Sequence, residues 1–301
     1  MARWDAMLSI LTTGGTIACT QDEAGALVPT ITGAELARAA GLSDVDVNDV
    51  VRLDSSSITL AELDDVIARV HNELERTDVE AVVLTHGTDS MEETALALDL
   101  MHTWDKPVVI TGAQRSFDHP ETDGPKNLAG AAAAGRTLTP GVYVHFGSRT
   151  LPARGLRKAH THDLDAFVSE PHGARPAPCE RVLLDGFHVP IVAMYPGAPA
   201  SVVAAVAATG VDGLVVAAMG SGNVSEQAGQ EIGKLLEQDI PVVIATRVGR
   251  GPTELAYGGP GGGSTLADQG ALASGPLSAA QARIALIVAL AAGRDPRELL
   301  L

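Results

Sequence analysis

The chain has 301 residues, enough for two domains, and carries a net charge of −16. An acidic surface of that kind repels phosphate backbones, so no nucleic acid partner is expected. Aromatic residues are 3% of the total, which calls for an aliphatic core, and Cys19 and Cys179 show neither a CxxC nor a Cys/His spacing for a disulfide framework or zinc.

The first strand is expected at residues 7–11, after an N-terminus with no signal-peptide core or cleavage site. No later apolar run reaches membrane-spanning length, so the expectation is a cytoplasmic enzyme with no membrane partner. The strand runs into Thr12-Thr13-Gly14-Gly15-Thr16-Ile17-Ala18. Hydroxyls around Gly-Gly at a strand's carboxyl end stand where open α/β sheets bind ligands, although Thr also suits a strand and Gly-Gly a plain strand exit. Residues 21–30 read as a loop able to close over a ligand, and Thr32 caps a short helix near 33–40. A β-rich run at 45–53 ends at Asp54-Ser55-Ser56-Ser57. Thr59 and Glu62 then form a capping box for a helix to about Arg76.

Residues 81–84 form the next buried strand, followed by Thr85-His86-Gly87-Thr88-Asp89. Ser90 with Glu93 reads as a second capping box, for a helix to about Met101. A strand at 107–110 ends in Thr111-Gly112-Ala113-Gln114-Arg115. A loop through Asp123-Gly124-Pro125 leads to an Ala-rich helix from about Asn127, and 141–146 is a further strand. Polar residues thus collect, strand after strand, at one edge of a parallel sheet. The alternation lapses over 148–188, where a hairpin or extended segment carries Arg157 and Lys158. It resumes with a strand within 189–194, a helix at 199–208 stopped by Gly210, a strand at 213–218 and a helix at 225–238. A strand at 242–246, a glycine run at 258–263 and a helix at 278–292 complete it. The fold class is α/β, with an N-terminal domain at 1–176, a linker at 177–188 and a C-terminal domain at 189–301.

Gly14-Gly15 is not followed by Gly-Lys-Ser/Thr, so a phosphate loop does not fit. His160 and His162 beside Asp163 lack an obvious third ligand, and no metal site is expected. A Gly-x-Ser-x-Gly elbow is missing too. What remains is threonine chemistry, in which the hydroxyl needs a base or a polarising network. Thr88 and Asp89 put a hydroxyl and a carboxylate side by side, and Lys158 can supply an amine. That role calls for an enclosed position, because only burial brings a lysine toward neutral pH; an ordinary solvated lysine is the alternative.

Thr13-Gly14-Gly15-Thr16-Ile17-Ala18 together with Thr85-His86-Gly87-Thr88-Asp89-Ser90-Met91-Glu92-Glu93-Thr94-Ala95 resembles the bacterial-type L-asparaginase family. The resemblance continues through Asp123-Gly124-Pro125-Lys126-Asn127-Leu128, Arg157-Lys158 and Gly220-Ser221-Gly222-Asn223, so it covers nearly the whole chain. It implies a larger Rossmann-like N-terminal domain with a mostly parallel sheet and a smaller α/β C-terminal domain. The implied activity is cofactor-free hydrolysis of a small-molecule amide, L-asparagine, to L-aspartate and ammonia. By that likeness Thr13 is the nucleophile that carries a β-aspartyl ester, and Thr88, Lys158 and Asp89 form a polar relay. Ser55 and Asp89 hold the substrate's α-carboxylate and α-ammonium, Ser56 is a weaker contact, and the Ala113 carbonyl meets the amide nitrogen. A homo-oligomer, a dimer of dimers, is implied as well.

Two departures stand out. Leu27 lies about where relatives carry a tyrosine in the loop after the first signature. The glycine run 258–263 matches the region from which relatives reach an acidic side chain into a neighbouring subunit's site. The runner-up function is a glutaminase or other amidase of the same fold. A non-catalytic amino-acid-binding module is the alternative from another class. A transamidosome component is disfavoured, since it needs an extra N-terminal domain and this chain begins at the first strand.

Overall fold

The computed structural model describes residues 7–171 and 173–300. The chain forms two compact units, divided between Ser169 and Glu170, so residues 170–188 belong to the second.

The first unit opens with β1 (Met7–Gly14), then a small antiparallel hairpin of β2 (Cys19–Gln21) and β3 (Leu27–Pro29) where a plain loop was expected. α1 (Gly33–Ala39), β4 (Val45–Leu53), α2 (Leu60–Glu75), β5 (Val79–Thr85) and α3 (Met91–Leu100) follow. β6 (Pro107–Thr111), α4 (Gly124–Gly135), β7 (Gly141–Phe146) and β8 (Arg149–Pro152) complete the main layer. β9 (Leu156–Lys158) and β10 (Phe167–Ser169) form a separate antiparallel pair. The main sheet runs β4-β1-β5-β6-β7-β8, parallel as far as β7 and closed by antiparallel β8.

Its central strands are fully buried apolar runs, Val82 to Leu84 and Val108 to Ile110 among them, as a parallel sheet covered on both faces requires. On one face Leu8, Ile10, Val83 and Val109 pack against Leu36 of α1 and Leu128, Ala131 and Ala132 of α4. The alanines and Gly135 let α4 lie close, since a Cβ on Gly135 would already stand 3.3 Å from the Ala81 and Leu8 side chains. Successive strands depart in opposite directions from β1, to β4 on one side and β5 on the other. Such a reversal opens a crevice at the carboxyl ends of the strands, the usual ligand position in an open α/β sheet.

Capping accounts for the helix starts. Thr32 with Glu35 and Thr59 with Glu62 form complete capping boxes. Ser90 does not: it sits at the N-cap of α3 without capping it, and its hydroxyl donates to the Ser55 carbonyl at 2.7 Å instead. α4 begins at Gly124, earlier than expected, because Pro125 in the first turn already has the helical φ.

The second unit is a four-stranded parallel sheet, β11 (Ile191–Ala193), β12 (Leu214–Ala218), β13 (Val242–Thr246) and β14 (Leu272–Ala273) in that order. α5 (Ser201–Ala207), α6 (Glu226–Leu236), α7 (Gly263–Asp268), α8 (Ala279–Ala292) and α9 (Arg297–Leu300) connect and cover it. α7, β14 and α9 were not expected from the sequence. α7 starts inside the glycine run, and the other two are only a few residues long, too short to show a period. Among the described residues no helix is long and apolar enough to cross a membrane.

Candidate active site

The site is built where three strand exits meet. After β1, Gly14 and Gly15 take φ values of +89° and +79°, a region L side chains rarely adopt. The chain then tightens into one 3-10 turn, Thr16–Ala18, with the Ala18 amide donating to the Gly15 carbonyl at 3.0 Å. A Cβ on Gly15 would lie 2.7 Å from the Gly87 Cα, and one on Gly87 would lie 2.3 Å from the Ser55 Oγ. The exits of β1, β5 and β4 therefore pack closely through positions that leave no room for a side chain. They enclose a cavity of about 420 Å³ whose lining includes Thr16, Ser55, Thr88 and Asp89, with Leu27 and Pro29 of the hairpin at its rim.

Lys158 reaches this cluster from the end of β9. Its Nζ donates to Thr88 Oγ1 at 2.8 Å and to Asp89 Oδ1 at 3.1 Å. Its backbone amide donates to Glu92 Oε2 at 2.9 Å, which ties β9 to the first turn of α3. Donation from an ammonium withdraws electron density from the Thr88 oxygen and leaves the threonine's own proton free to face the cavity. The Asp89 amide donates to Ser55 Oγ at 3.3 Å, linking the β5 and β4 exits. The enclosed position expected of Lys158 is only partly realised. Its side chain is 24% exposed and its carboxylate partner 59% exposed, so the pair works beside water rather than in a dry pocket.

Besides Lys158, which reaches the lining residues Thr88 and Asp89 without being on the lining, three expected site residues stand off it. Thr13, the last side chain of β1 before the glycine turn, is 2% exposed, and its hydroxyl donates to the Thr85 carbonyl at 2.8 Å. That bond fixes its oxygen against the end of β5, three residues before Thr88. The threonine of this motif that lines the cavity is Thr16, which the motif alone does not single out. The signal available was its place after, rather than before, the glycine turn. Ser56 is exposed, its amide donating to Asp54 Oδ1 at 3.1 Å. Ala113 is buried behind the cavity wall. Its turn is fixed by Asp123, whose carboxylate accepts the Gln114 and Arg115 amides at 3.0 Å each and the Asn127 side chain at 3.0 Å. Gly124 completes the fit, since a Cβ there would come within 2.8 Å of Ile17 in the Thr16–Ala18 turn.

His86 sits beneath this arrangement, fully buried. The Gly87 carbonyl can only accept, so Nδ1 donates to it at 2.7 Å and Nε2 accepts from Thr94 Oγ1 at 3.0 Å, which fixes the neutral tautomer. Burial pushes its pKa down, only partly offset by the bond to the Gly87 carbonyl; burial also lowers His145. A histidine depressed in the folded state binds its proton more readily when unfolded. Its contribution is present above the ordinary value of about 6.5 and is lost as pH falls below it. Urea unfolding is expected to give lower stability at pH 5.5 than at 7.5, with a slope up to about 1.4 kcal/mol per pH unit for each such group. A stability that holds level or rises on acidification over that span contradicts the assignment.

A groove of about 450 Å³ in the second unit is lined by Glu226, Gln230, Thr265 and Gln269 among others, and contains no lysine, histidine or cysteine to activate a hydroxyl. His160 spends its Nδ1 locally, accepting the amides of His162 at 3.1 Å and Asp163 at 2.9 Å.

Fold and site define a two-unit α/β protein with a hydroxyl, lysine and carboxylate cluster at the switch point of its larger parallel sheet. The chain belongs to the asparaginase family: the N-terminal asparaginase model matches residues 7–177 and the glutaminase/asparaginase C-terminal domain model residues 188–300. It is 34% identical to a probable L-asparaginase of Deinococcus radiodurans, over 97% of this chain and 95% of that protein. An L-asparaginase of Bacillus licheniformis is 29% identical over 96% of this chain and 96% of that protein. The structure of a probable cytoplasmic L-asparaginase from Campylobacter jejuni superposes with a TM-score of 0.84 at 27% identity, covering 98% of each chain.

Proposed function

We propose that this protein hydrolyses L-asparagine to L-aspartate and ammonia, with Thr13 as the nucleophile. The observation that carries this reading is the join between β1 and β5. There the Thr13 hydroxyl is fixed on the Thr85 carbonyl at 2.8 Å, three residues before Thr88, whose own hydroxyl is bonded by Lys158 at 2.8 Å. A hydroxyl held by its donated proton keeps its lone pairs for attack. Thr13 Oγ1 attacks the side-chain amide carbon as its proton leaves the Thr85 carbonyl for the Thr88 oxygen, while Thr88 gives its own proton to Lys158 and Lys158 gives one to the Asp89 carboxylate. The carbon–nitrogen bond breaks, the nitrogen leaves as ammonia with a proton, and a β-aspartyl ester remains on Thr13. Water then adds to that ester and returns the hydroxyl. Ser55 and Asp89 hold the substrate's charged head, while Asp123 keeps the Ala113 turn in place against the Thr16–Ala18 turn. A second assignment of the nucleophile, to Thr16, is favoured by one observation, its place on the cavity lining. The working form is a homo-oligomer in the cytoplasm, a dimer of dimers; light scattering that returned the mass of one chain would remove that part.

Ammonia release from L-asparagine is the direct test, with L-glutamine alongside. No release from either amide overturns the reading in favour of a binding module. Faster release from glutamine replaces asparaginase by glutaminase, a reading favoured by one feature: the cavity has room for another methylene, and a pocket discriminates against one by only about 1–3 kcal/mol.

A further inference from the structure

Lys158 closes β9, a strand of three residues whose one ladder partner among the described residues is β10. Two such short strands hold little shape by themselves. β10 is fixed to the main sheet: Phe167 packs edge-on against Phe146 of β7, ring centroids 5.1 Å apart, and Arg149 of β8 donates to the Phe167 carbonyl at 2.6 Å. β9 is held from α3 as well, through Glu92. The Lys158 amide donates to Glu92 Oε2 at 2.9 Å, and the next amide, that of Ala159, donates to the Ala166 carbonyl at 2.7 Å. Successive amides of an extended chain point in opposite directions, so one faces the β10 side and the other the helix. Glu92 lies in the first turn of α3, three positions after Asp89 and four after Thr88, and its side chain is half-buried. One stretch, residues 88–92, therefore binds the lysine at both ends. The Glu92 carboxylate takes its main-chain amide, and Thr88 and Asp89 take its Nζ at 2.8 and 3.1 Å. Between the two ends lies a flexible four-carbon stem, which cannot by itself fix the amine.

We propose that Glu92 is a positioning residue for the amide hydrolysis: by holding the Lys158 amide it sets how far Nζ reaches toward the Thr88 oxygen. This rests on the amidase reading above. Glu92 is not part of the cavity lining, so it acts on the reaction through the lysine and not on the substrate. A carboxylate suits the task, because a hydrogen bond from an amide to a charged acceptor is stronger than one to a neutral group. The first turn of a helix also favours a negative charge at that place. Without the bond the end of β9 is free to shift against α3, and the amine shifts with it. Misplacement of a reacting group by about 1 Å can cost about a hundredfold in rate.

Glu92→Ala in the full chain is expected to lower kcat for L-asparagine about tenfold to a hundredfold and to move KM by less than about threefold. Glu92→Gln keeps an acceptor oxygen at the same length, so its kcat should stay within about threefold of wild type. A Gln variant as slow as the Ala variant shows that charge acts there and not the hold on the amide, and overturns the proposal. In a Lys158→Met background, Glu92→Ala should add less than about a twofold loss, because the group it positions is gone. Losses that multiply instead make Glu92 a structural residue of α3 and overturn the proposal too. Should Glu92→Ala melt below the assay temperature, Glu92→Asp, one methylene too short to reach, takes its place. The hold on the lysine is also read without turnover. Acetic anhydride at a limiting dose labels the amines of the folded chain, and peptide mass spectrometry compares Lys158 with the exposed Lys126 and Lys234 of the same sample. Glu92→Ala is expected to raise the relative labelling of Lys158 at least about threefold, as local opening frees the amine, and Glu92→Gln to leave it in place. An unchanged ratio in Glu92→Ala overturns the proposal whatever the activity. Wild-type protein that releases no ammonia from any amide overturns the amidase reading instead, and the labelling ratio then decides by itself whether Glu92 positions the amine.

Discussion

Thr13→Val is expected to lower ammonia release from L-asparagine by at least about a thousandfold in protein that still folds, because a covalent route without its nucleophile falls back on binding and polarisation alone. Valine keeps the shape and removes the oxygen. The change also deletes the donor to the buried Thr85 carbonyl and should cost about 1–3 kcal/mol of stability, too little to account for such a loss of rate at temperatures where the protein is folded. Thr16→Val is the comparison. Thr16 is half-buried and lines the cavity, so its loss should weaken turnover by no more than about a hundredfold, the effect of one hydrogen bond to substrate. The pair is read by circular-dichroism melting and an ammonia assay on the same preparations. An inactive, well-folded Thr16→Val beside a Thr13→Val within tenfold of wild type would move the nucleophile to Thr16.

Lys158→Met should be the next largest loss, about a hundredfold to ten-thousandfold in kcat, the span expected when a positioned proton carrier is removed. The amine donates to Thr88 at 2.8 Å and Asp89 at 3.1 Å, so methionine keeps the length and empties both bonds. Stability should move by less than about 1 kcal/mol, since the Asp89 side chain is 59% exposed and water takes over from the lost cation. Lys158→Arg should fail to rescue, because a planar guanidinium neither gives up a proton at accessible pH nor fits the place of a compact ammonium. Near-normal kcat in Lys158→Arg would show that charge alone matters there and that no proton passes through the amine. A large loss of stability in Lys158→Met would make the lysine structural.

Much of this architecture is legible in the sequence, for identifiable reasons. Strands such as Val242–Thr246 are unbroken apolar runs bounded by turn residues, and Thr32 and Thr59 announce their helices through the Glu three positions later. The same rule failed at Ser90 because a capping box is a local pattern, whereas the Ser90 hydroxyl is claimed by the carbonyl of Ser55, far away in sequence. The hairpin at residues 19–29 was hidden by its short strands and polar tip. At the site, Thr88, Asp89 and Lys158 come together as the motifs indicated. Which of the threonines around Gly14-Gly15 reaches the cavity lining was not legible. A motif gives the order of hydroxyls along the chain, but their direction is set by left-handed φ angles at Gly14 and Gly15 that the letters do not encode. Arg52 escaped notice for a related reason: a lone arginine in a β-rich run carries no pattern, and only its place beside β3 brings it to the rim.

The contact of Gly15 with Gly87, and of Gly87 with Ser55, divides the pocket into two classes of position for anyone who would re-engineer it. At the floor there is no spare volume, so a library at 15 or 87 should return inactive clones whatever the substrate, and segments grafted from a relative must be exchanged together. At the rim, the side chains of Leu27 and Arg52 are exposed to solvent. Preference for one amide over another can be rewritten there while the threonine hydroxyls keep their spacing, which makes the β4 exit and the hairpin the place where this scaffold is free to diversify.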